Sequence, residues 1–245
     1  MAGHDSGADT HTGATGAGTS CLAAGASRLE VRRLGLVPYP DAWAAMRAFT
    51  AQRTARTPDE LWLLEHPSVY TYGVAGRDAH LPRADLGIPV IKVDRGGQVT
   101  WHGPGQIVLY TLLDLRRLGM GVRELVRLLE QTVLDLLGEF GVRAQRRDGA
   151  PGVYVGDAKV AALGLRVSRG CSYHGLSLNV NNDLTPFAAI DPCGYPGLPV
   201  TRTIDLGIAA GPEQVGARLV DLVTGALCAA ARREASRRPA SESTP

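Results

Sequence analysis

Lysine is nearly missing from this chain. Only Lys92 and Lys159 occur among 245 residues, and arginine carries the other 24 of the 26 basic groups. A protein that decorates its surface with arginine has little surface use for lysine, so each of the two asks for an explanation. Charge of one sign is also lacking: the net charge of +2 and pI near 8.4 are too mild to argue for nucleic acid. The arginine clusters at Arg146-Arg147 and in "RREASRR" have no interleaved aromatics for base stacking and read as solvated surface. No apolar run approaches the roughly 20 residues that span a bilayer, which speaks against a membrane partner. The start, "MAGHDSGADTHTGATGAGTS", has no basic n-region followed by an apolar stretch, so a cytoplasmic location is expected. Cys21, Cys171, Cys193 and Cys228 are widely spaced without any C-x-x-C. That fits reduced thiols rather than a disulfide framework, and it keeps a nucleophilic thiol available.

Residues 1–27 are rich in Gly, Ala, Thr and Ser and have too few large apolar groups to pack, so a disordered tail is expected there. Residues 28–232 read as one folded domain without a linker or an internal repeat, and residues 233–245 as a second disordered tail. Within the domain, "LEVRRLG" alternates like a strand and "YPDAWAAMRAFTAQRTA" reads as a helix entered through Pro40. "ELWLLEHPSVYTYG" divides into two strands at Pro67, and "PVIKVD" and "GQIVLYTLLDL" are further strands. "GVRELVRLLEQTVLDLLGEFG" is the clearest helix, with apolar residues at i, i+3, i+4 and i+7 and Gly141 placed to stop it. "GVYVG", "KVAALGLRVS" and "CSYHGLSLNVN" read as antiparallel neighbours, and a last helix runs from about Pro212 to Arg232. Strands come in groups between helices, so the expected fold class is α+β with a mixed, largely antiparallel sheet and packed helices.

The stretch "RGGQVTWHGPGQ", Arg95 to Gln106, concentrates glycine beside one Trp-His pair. It contains neither G-x-x-x-x-G-K-[ST] nor G-x-G-x-x-G before a helix, and it runs into a strand-like segment, so phosphate binding is not indicated. Two readings stay open: tight turns around a short strand, or backbone laid closely against a ligand. His66, His80, His102 and His174 lack H-x-x-x-H or H-E-x-x-H spacing, so no metal is expected and each reads as a hydrogen-bonding residue in the core or at a pocket edge. Cys193, in the rigid loop "AAIDPCGYPGLPVTR", is followed at once by glycine, an arrangement that suits a nucleophile supported by neighbouring N–H groups; a plain loop cysteine is the alternative. Lys159 opens the apolar strand "KVAALGLRV". An ammonium near a thiol favours thiolate, and partial burial fits a lysine for proton transfer; a solvent-facing strand end is the alternative.

Five blocks, "LWLLEHPSVYTYG", "RGGQVTWHGPGQIVLY", "KVAALGLRVSRG", "HGLSLNVNNDL" and "IDPCGYPG", occur in order across residues 29–230 and resemble the octanoyltransferase family of lipoate biosynthesis. The resemblance implies a fold similar to the biotin and lipoate protein ligase catalytic domain. It implies transfer of an octanoyl group from octanoyl-acyl carrier protein to a lysine of lipoyl domains in 2-oxoacid dehydrogenase and glycine cleavage complexes. It makes Cys193 the acyl-thioester nucleophile and Lys159 the residue that tunes it. It assigns substrate binding to Arg95, Gly96, Gly97, Gln98, Val99, Thr100, Trp101 and His102, to Ala162, Leu163 and Gly164, and to Gly175, Leu176 and Ser177. Trp101 stands where tyrosine is common and Ala162 where serine is common, which touches chain-length preference more than reaction type.

Thioester exchange is nearly balanced in energy, and amide formation then runs downhill, so such an enzyme needs no cofactor, neither ATP nor metal. At about 0.8 kcal/mol per buried CH₂, length discrimination by an apolar trough is real but leaky. An ATP-dependent lipoate or biotin ligase on the same fold is the main alternative; it would need a basic adenylate-binding segment and no cysteine nucleophile. A non-catalytic scaffold would leave Cys193 dispensable.

Overall fold

Periodic apolar residues decide the helices. In α2, Val122–Glu139, the residues Leu125, Leu129, Val133, Leu136 and Leu137 fall on one face and are buried. Its start is held by the Glu124 carboxylate, which accepts the Gly121 N–H at 2.7 Å. Its end obeys the glycine stop: Gly141 is left-handed (φ 74°), and the Val142 N–H returns to the Leu137 carbonyl. In α1, Tyr39–Gln52, the buried stripe is Tyr39, Ala42, Met46 and Thr50, with a proline in the first turn. The last helix, α3, runs Pro212–Arg237 and so passes the predicted boundary at 232. The computed structural model describes residues 28–76, 82, 86–191 and 197–237; the two predicted tails therefore fall outside the described residues, save the part of the second that continues α3.

Among the described residues nine strands complete the fold: β1 Leu29–Leu36, β2 Asp59–Glu65, β3 Val69–Tyr72, β4 Val90–Lys92, β5 Val99–His102, β6 Gln106–Leu112, β7 Gly152–Val155, β8 Ala158–Ser168 and β9 Cys171–Asn179. Six form a sheet in the order β1-β2-β6-β9-β8-β7, and three a smaller sheet in the order β4-β3-β5. Among these nine strands β1 with β2 and β3 with β4 run parallel, and the other pairs are antiparallel. The fold is α+β with mixed sheets, as the grouping of strands implies.

The larger sheet has two different faces. Leu61, Ile107, Leu109, Leu176 and Leu178 pack with the buried stripes of α2 and α3 in the main core. Gly216 brings α3 close to Leu63 and Ile107. Among the described residues α3 alone is long and apolar enough to cross a membrane, but half of its apolar window is buried inside the protein, as for a core helix. The opposite face carries Trp62, Leu64, Val108, Tyr110 and Tyr173, packed on Ala42 and Met46 of α1. Beside it lies the small sheet, whose Tyr70, Tyr72, Val99 and Trp101 pack on Phe187 and Ile190.

Candidate active site

The glycine-rich stretch meets the first of its sequence readings, tight turns around a short strand, and supplies a wall that the second would need. It is a short strand, β5, between turns in which Gly97 and Gly105 take left-handed φ of 86° and 83°, and it also walls a cleft. That cleft encloses about 480 Å³ including its mouth. It is lined by Arg95, Gly97 to Thr100 and His102 from this stretch, by Ala162 to Gly164 of β8, and by Gly175 to Ser177 of β9. Two of the expected binding residues are not on its wall. The Gly96 N–H is spent on the Leu165 carbonyl, tying the stretch to β8. The Trp101 ring turns into the small sheet's core, edge-on to Phe187 at 5.5 Å.

A second, smaller cavity adjoins the first. The two share Thr100, Ala162 and Ser177, and the second continues past Ala161 and Asn179 to Lys159. Lys159 is 3% exposed, so the strand-end reading of a solvent-facing lysine does not hold. Its ammonium donates to the Pro151 carbonyl at 3.1 Å and lies 5.1 Å from the centre of the Tyr154 ring. Its backbone pairs with the segment beyond the Cys193 loop: the Lys159 N–H goes to the Pro199 carbonyl and the Thr201 N–H returns to Lys159. Cys193 itself lies outside the described residues. Phe187 and Val200, on either side of that loop in sequence, both line the Lys159 cavity. Burial pushes the Cys171 thiol up in pKa. Cys228 is buried on α3.

Away from Lys159 the cleft ends on polar groups that sequence reasoning did not assign to the site: Tyr39, Tyr110 and His174, with Arg95 and His102 beside them. Their hydrogen bonds fix the tautomers. His66 Nδ1 faces the Val37 carbonyl, which can only accept, so Nε2 accepts from the Tyr110 hydroxyl at 2.7 Å. Thr71 Oγ1 accepts from the Arg95 guanidinium and therefore turns its proton to His102 Nε2, while His102 Nδ1 donates to Gln106 Oε1. Burial holds His66 and His174 down to about 4 and His102 well below its usual range, so all three are neutral near pH 7.

His174 owes its place to strained backbone. Neighbouring strand residues normally point to opposite faces. His174 has φ 62°, and its ring stacks on that of Tyr173 at 5.0 Å. Its Nε2 donates to Asp94, which also accepts from Tyr173 and Trp43. Burial alone would raise the Asp94 carboxyl, but these donors outweigh it and hold the group at about 2. Position 175 is glycine because a Cβ there would lie 2.0 Å from the Leu109 carbonyl oxygen. His174 is the hydrogen-bonding residue of core and pocket edge that the sequence suggested, though nothing there singled it out from the other histidines, and Tyr39 gave no hint. Among the described residues no group of three His, Cys, Asp or Glu side chains is placed to hold a metal.

Comparison with known proteins gives the class: a lipoyl ligase type of catalytic domain. The family model described as "Lipoyl protein ligase A/B catalytic domain" matches residues 38–208. An octanoyltransferase of Dechloromonas aromatica (strain RCB) is 62% identical over 189 residues, covering 77% of this chain and 92% of that protein. A crystal structure of lipoate-protein ligase A bound with ATP superposes with a TM-score of 0.66 at 14% identity, covering 87% of this chain and 95% of that one. A biotin protein ligase from Aquifex aeolicus in complex with biotin and ATP gives 0.52 at 12% identity, covering 81% and 69%. The chain belongs to the lipoyl protein ligase A/B catalytic domain family and, within it, to the octanoyltransferases, which are acyltransferases.

Proposed function

We propose that this protein moves an octanoyl group from the thioester of an acyl carrier protein to a lysine of a lipoyl domain, through an acyl thioester on Cys193. The carrier thiol leaves as the Cys193 sulfur takes the acyl carbon; the acceptor amine then attacks, the C–N bond forms and the Cys193 thiol is released. The acceptor must be neutral when it attacks, and a lysine that exchanges protons at the same spot meets that need. The observation that carries this reading is the continuity of the cavities: the cleft walled by the expected binding segments runs into the space that buried Lys159 faces, between the two flanks of the Cys193 loop. A buried ammonium beside a thiol favours thiolate, and a glycine next in sequence, Gly194, suits support of an oxyanion by backbone N–H groups. The lipoyl domains of 2-oxoacid dehydrogenase and glycine cleavage complexes are the acceptors of this reading, and the cytoplasm, where the carrier thioester is made, its location.

Mixing the protein with octanoyl-acyl carrier protein and weighing it intact is the test. The expected result is one added octanoyl group on the wild type, none on Cys193→Ala, and no requirement for ATP. An adduct that survives Cys193→Ala, or transfer that depends on ATP, overturns the reading.

A further inference from the structure

The inner end of the cleft is the wrong chemistry for a plain hydrocarbon. Tyr39 is 2% exposed, and its hydroxyl sits near Tyr110 and Arg95 but makes no hydrogen bond of normal geometry among the described residues. His174 is 1% exposed; with Nε2 bonded to Asp94, its Nδ1 also lacks a partner. Both residues line the cleft. One offers a donor and the other, as the neutral imidazole, an acceptor. Tyr110 joins them: its ring centre is 6.0 Å from that of His174 and its hydroxyl is committed to His66. A buried polar atom left unpaired is costly, and a terminal methyl cannot pair with either one.

We propose that this inner end is a chain-length gauge, in which Tyr39 and His174 hold a water molecule that an acyl chain of the right length leaves in place and a longer chain must expel. Such a water accepts from the Tyr39 hydroxyl and donates to His174 Nδ1, two of the contacts that a buried water needs. The proposal rests on the acyl-transfer reading above, which sets the carbonyl at the Lys159 end and the methyl end at Tyr39. An added methylene then gains its small burial energy only by stripping two polar groups of their partner, so discrimination against long chains is sharper than counting methylenes allows.

The test compares kcat/KM for octanoyl and decanoyl carrier-protein donors in the wild type and in Tyr39→Phe, which keeps the ring and removes only the hydroxyl. Because each ratio is taken within one enzyme, a partly folded variant does not disturb it. The decanoyl-to-octanoyl ratio is expected to rise about tenfold in Tyr39→Phe. In the wild type, 9-hydroxynonanoyl is expected to outperform its isostere decanoyl, since its terminal hydroxyl can replace the water, and Tyr39→Phe should erase that preference. A ratio unchanged within about twofold, or a wild type that favours decanoyl over the hydroxylated chain, means a purely steric floor and overturns the gauge. Octanoyl transfer that persists alongside either result leaves the acyl-transfer reading standing. A wild type that accepts no acyl group from any of the donors brings down both.

Discussion

Strand β6 shows the division of labour in this molecule within seven residues. Ile107 and Leu109 point into the apolar core against α2 and α3. Val108 and Tyr110 point the other way, toward α1 and the cleft, where three neutral histidines, Tyr110 and Arg95 are held by specific hydrogen bonds. The first face is held by burial, which is non-directional and tolerant of exchange between residues of similar size. On the second, each polar group must find its partner, and the partners fix tautomers and ring positions. Stability therefore resides mainly on one side of the sheet and chemistry on the other.

The largest effect that separates the two sides is expected at Lys159. Lys159→Met keeps length and apolar volume but removes the ammonium. On the reading of Lys159 as the proton-handling group, octanoyl transfer should fall by about 10²- to 10⁴-fold. The Pro151 carbonyl loses its donor in this variant, and a buried acceptor left unpaired costs about 1–3 kcal/mol, so the urea midpoint should fall modestly while activity collapses. Activity within tenfold of wild type would remove Lys159 from the mechanism. The converse is Leu129→Ala on α2, fully buried in the apolar core. It should cost about 2–5 kcal/mol in unfolding free energy, while the decanoyl-to-octanoyl ratio stays that of the wild type. A changed ratio would show that the two sides are coupled.

What the sequence disclosed divides along the same line. The apolar face was legible because pattern is its cause: the stripe of α2 and the short apolar runs of β2 and β6, buried along nearly their whole length, gave the helix and the strands, and the grouping of strands gave the α+β class. The binding segments were legible through resemblance and through their glycines. Residue direction was not. The resemblance put Trp101 in the binding segment, yet on the short strand β5 its ring turns away from the cleft into the small sheet's core. His174 breaks the strand alternation by adopting φ 62°, a choice that no local pattern announces. Tyr39 reaches the cleft from α1, far in sequence from every motif, and only tertiary packing brings it there. The histidines looked scattered because their spacing is three-dimensional: His66 and His102, 36 positions apart, have ring centres 5.7 Å apart.

The smallest effect should appear in pH dependence, and only on the cleft side. His66 and His174 have folded pKa values near 4, below the ordinary 6.5, because burial penalises their charged forms. A depressed histidine pKa means that the unfolded chain takes up protons first. The stabilisation from keeping these rings neutral is thus full above about pH 6.5 and drains away as the pH falls toward 4, with a limiting slope of about 1.4 kcal/mol per pH unit per histidine. Asp94 does not offset this loss, because its carboxyl, held at about 2, stays ionised across the whole window. Urea unfolding of the wild type should therefore show a midpoint that declines between pH 6.5 and pH 4.5. His66→Gln, which can still donate to the Val37 carbonyl and accept from Tyr110, should flatten the decline by about one histidine's share, whereas Leu129→Ala should lower the whole curve and leave its slope alone. A slope that is the same in wild type and His66→Gln would mean that His66 is not kept neutral by the fold. The division between a dry, pH-indifferent face and a polar, proton-sensitive one would then have to be redrawn around His102 and His174.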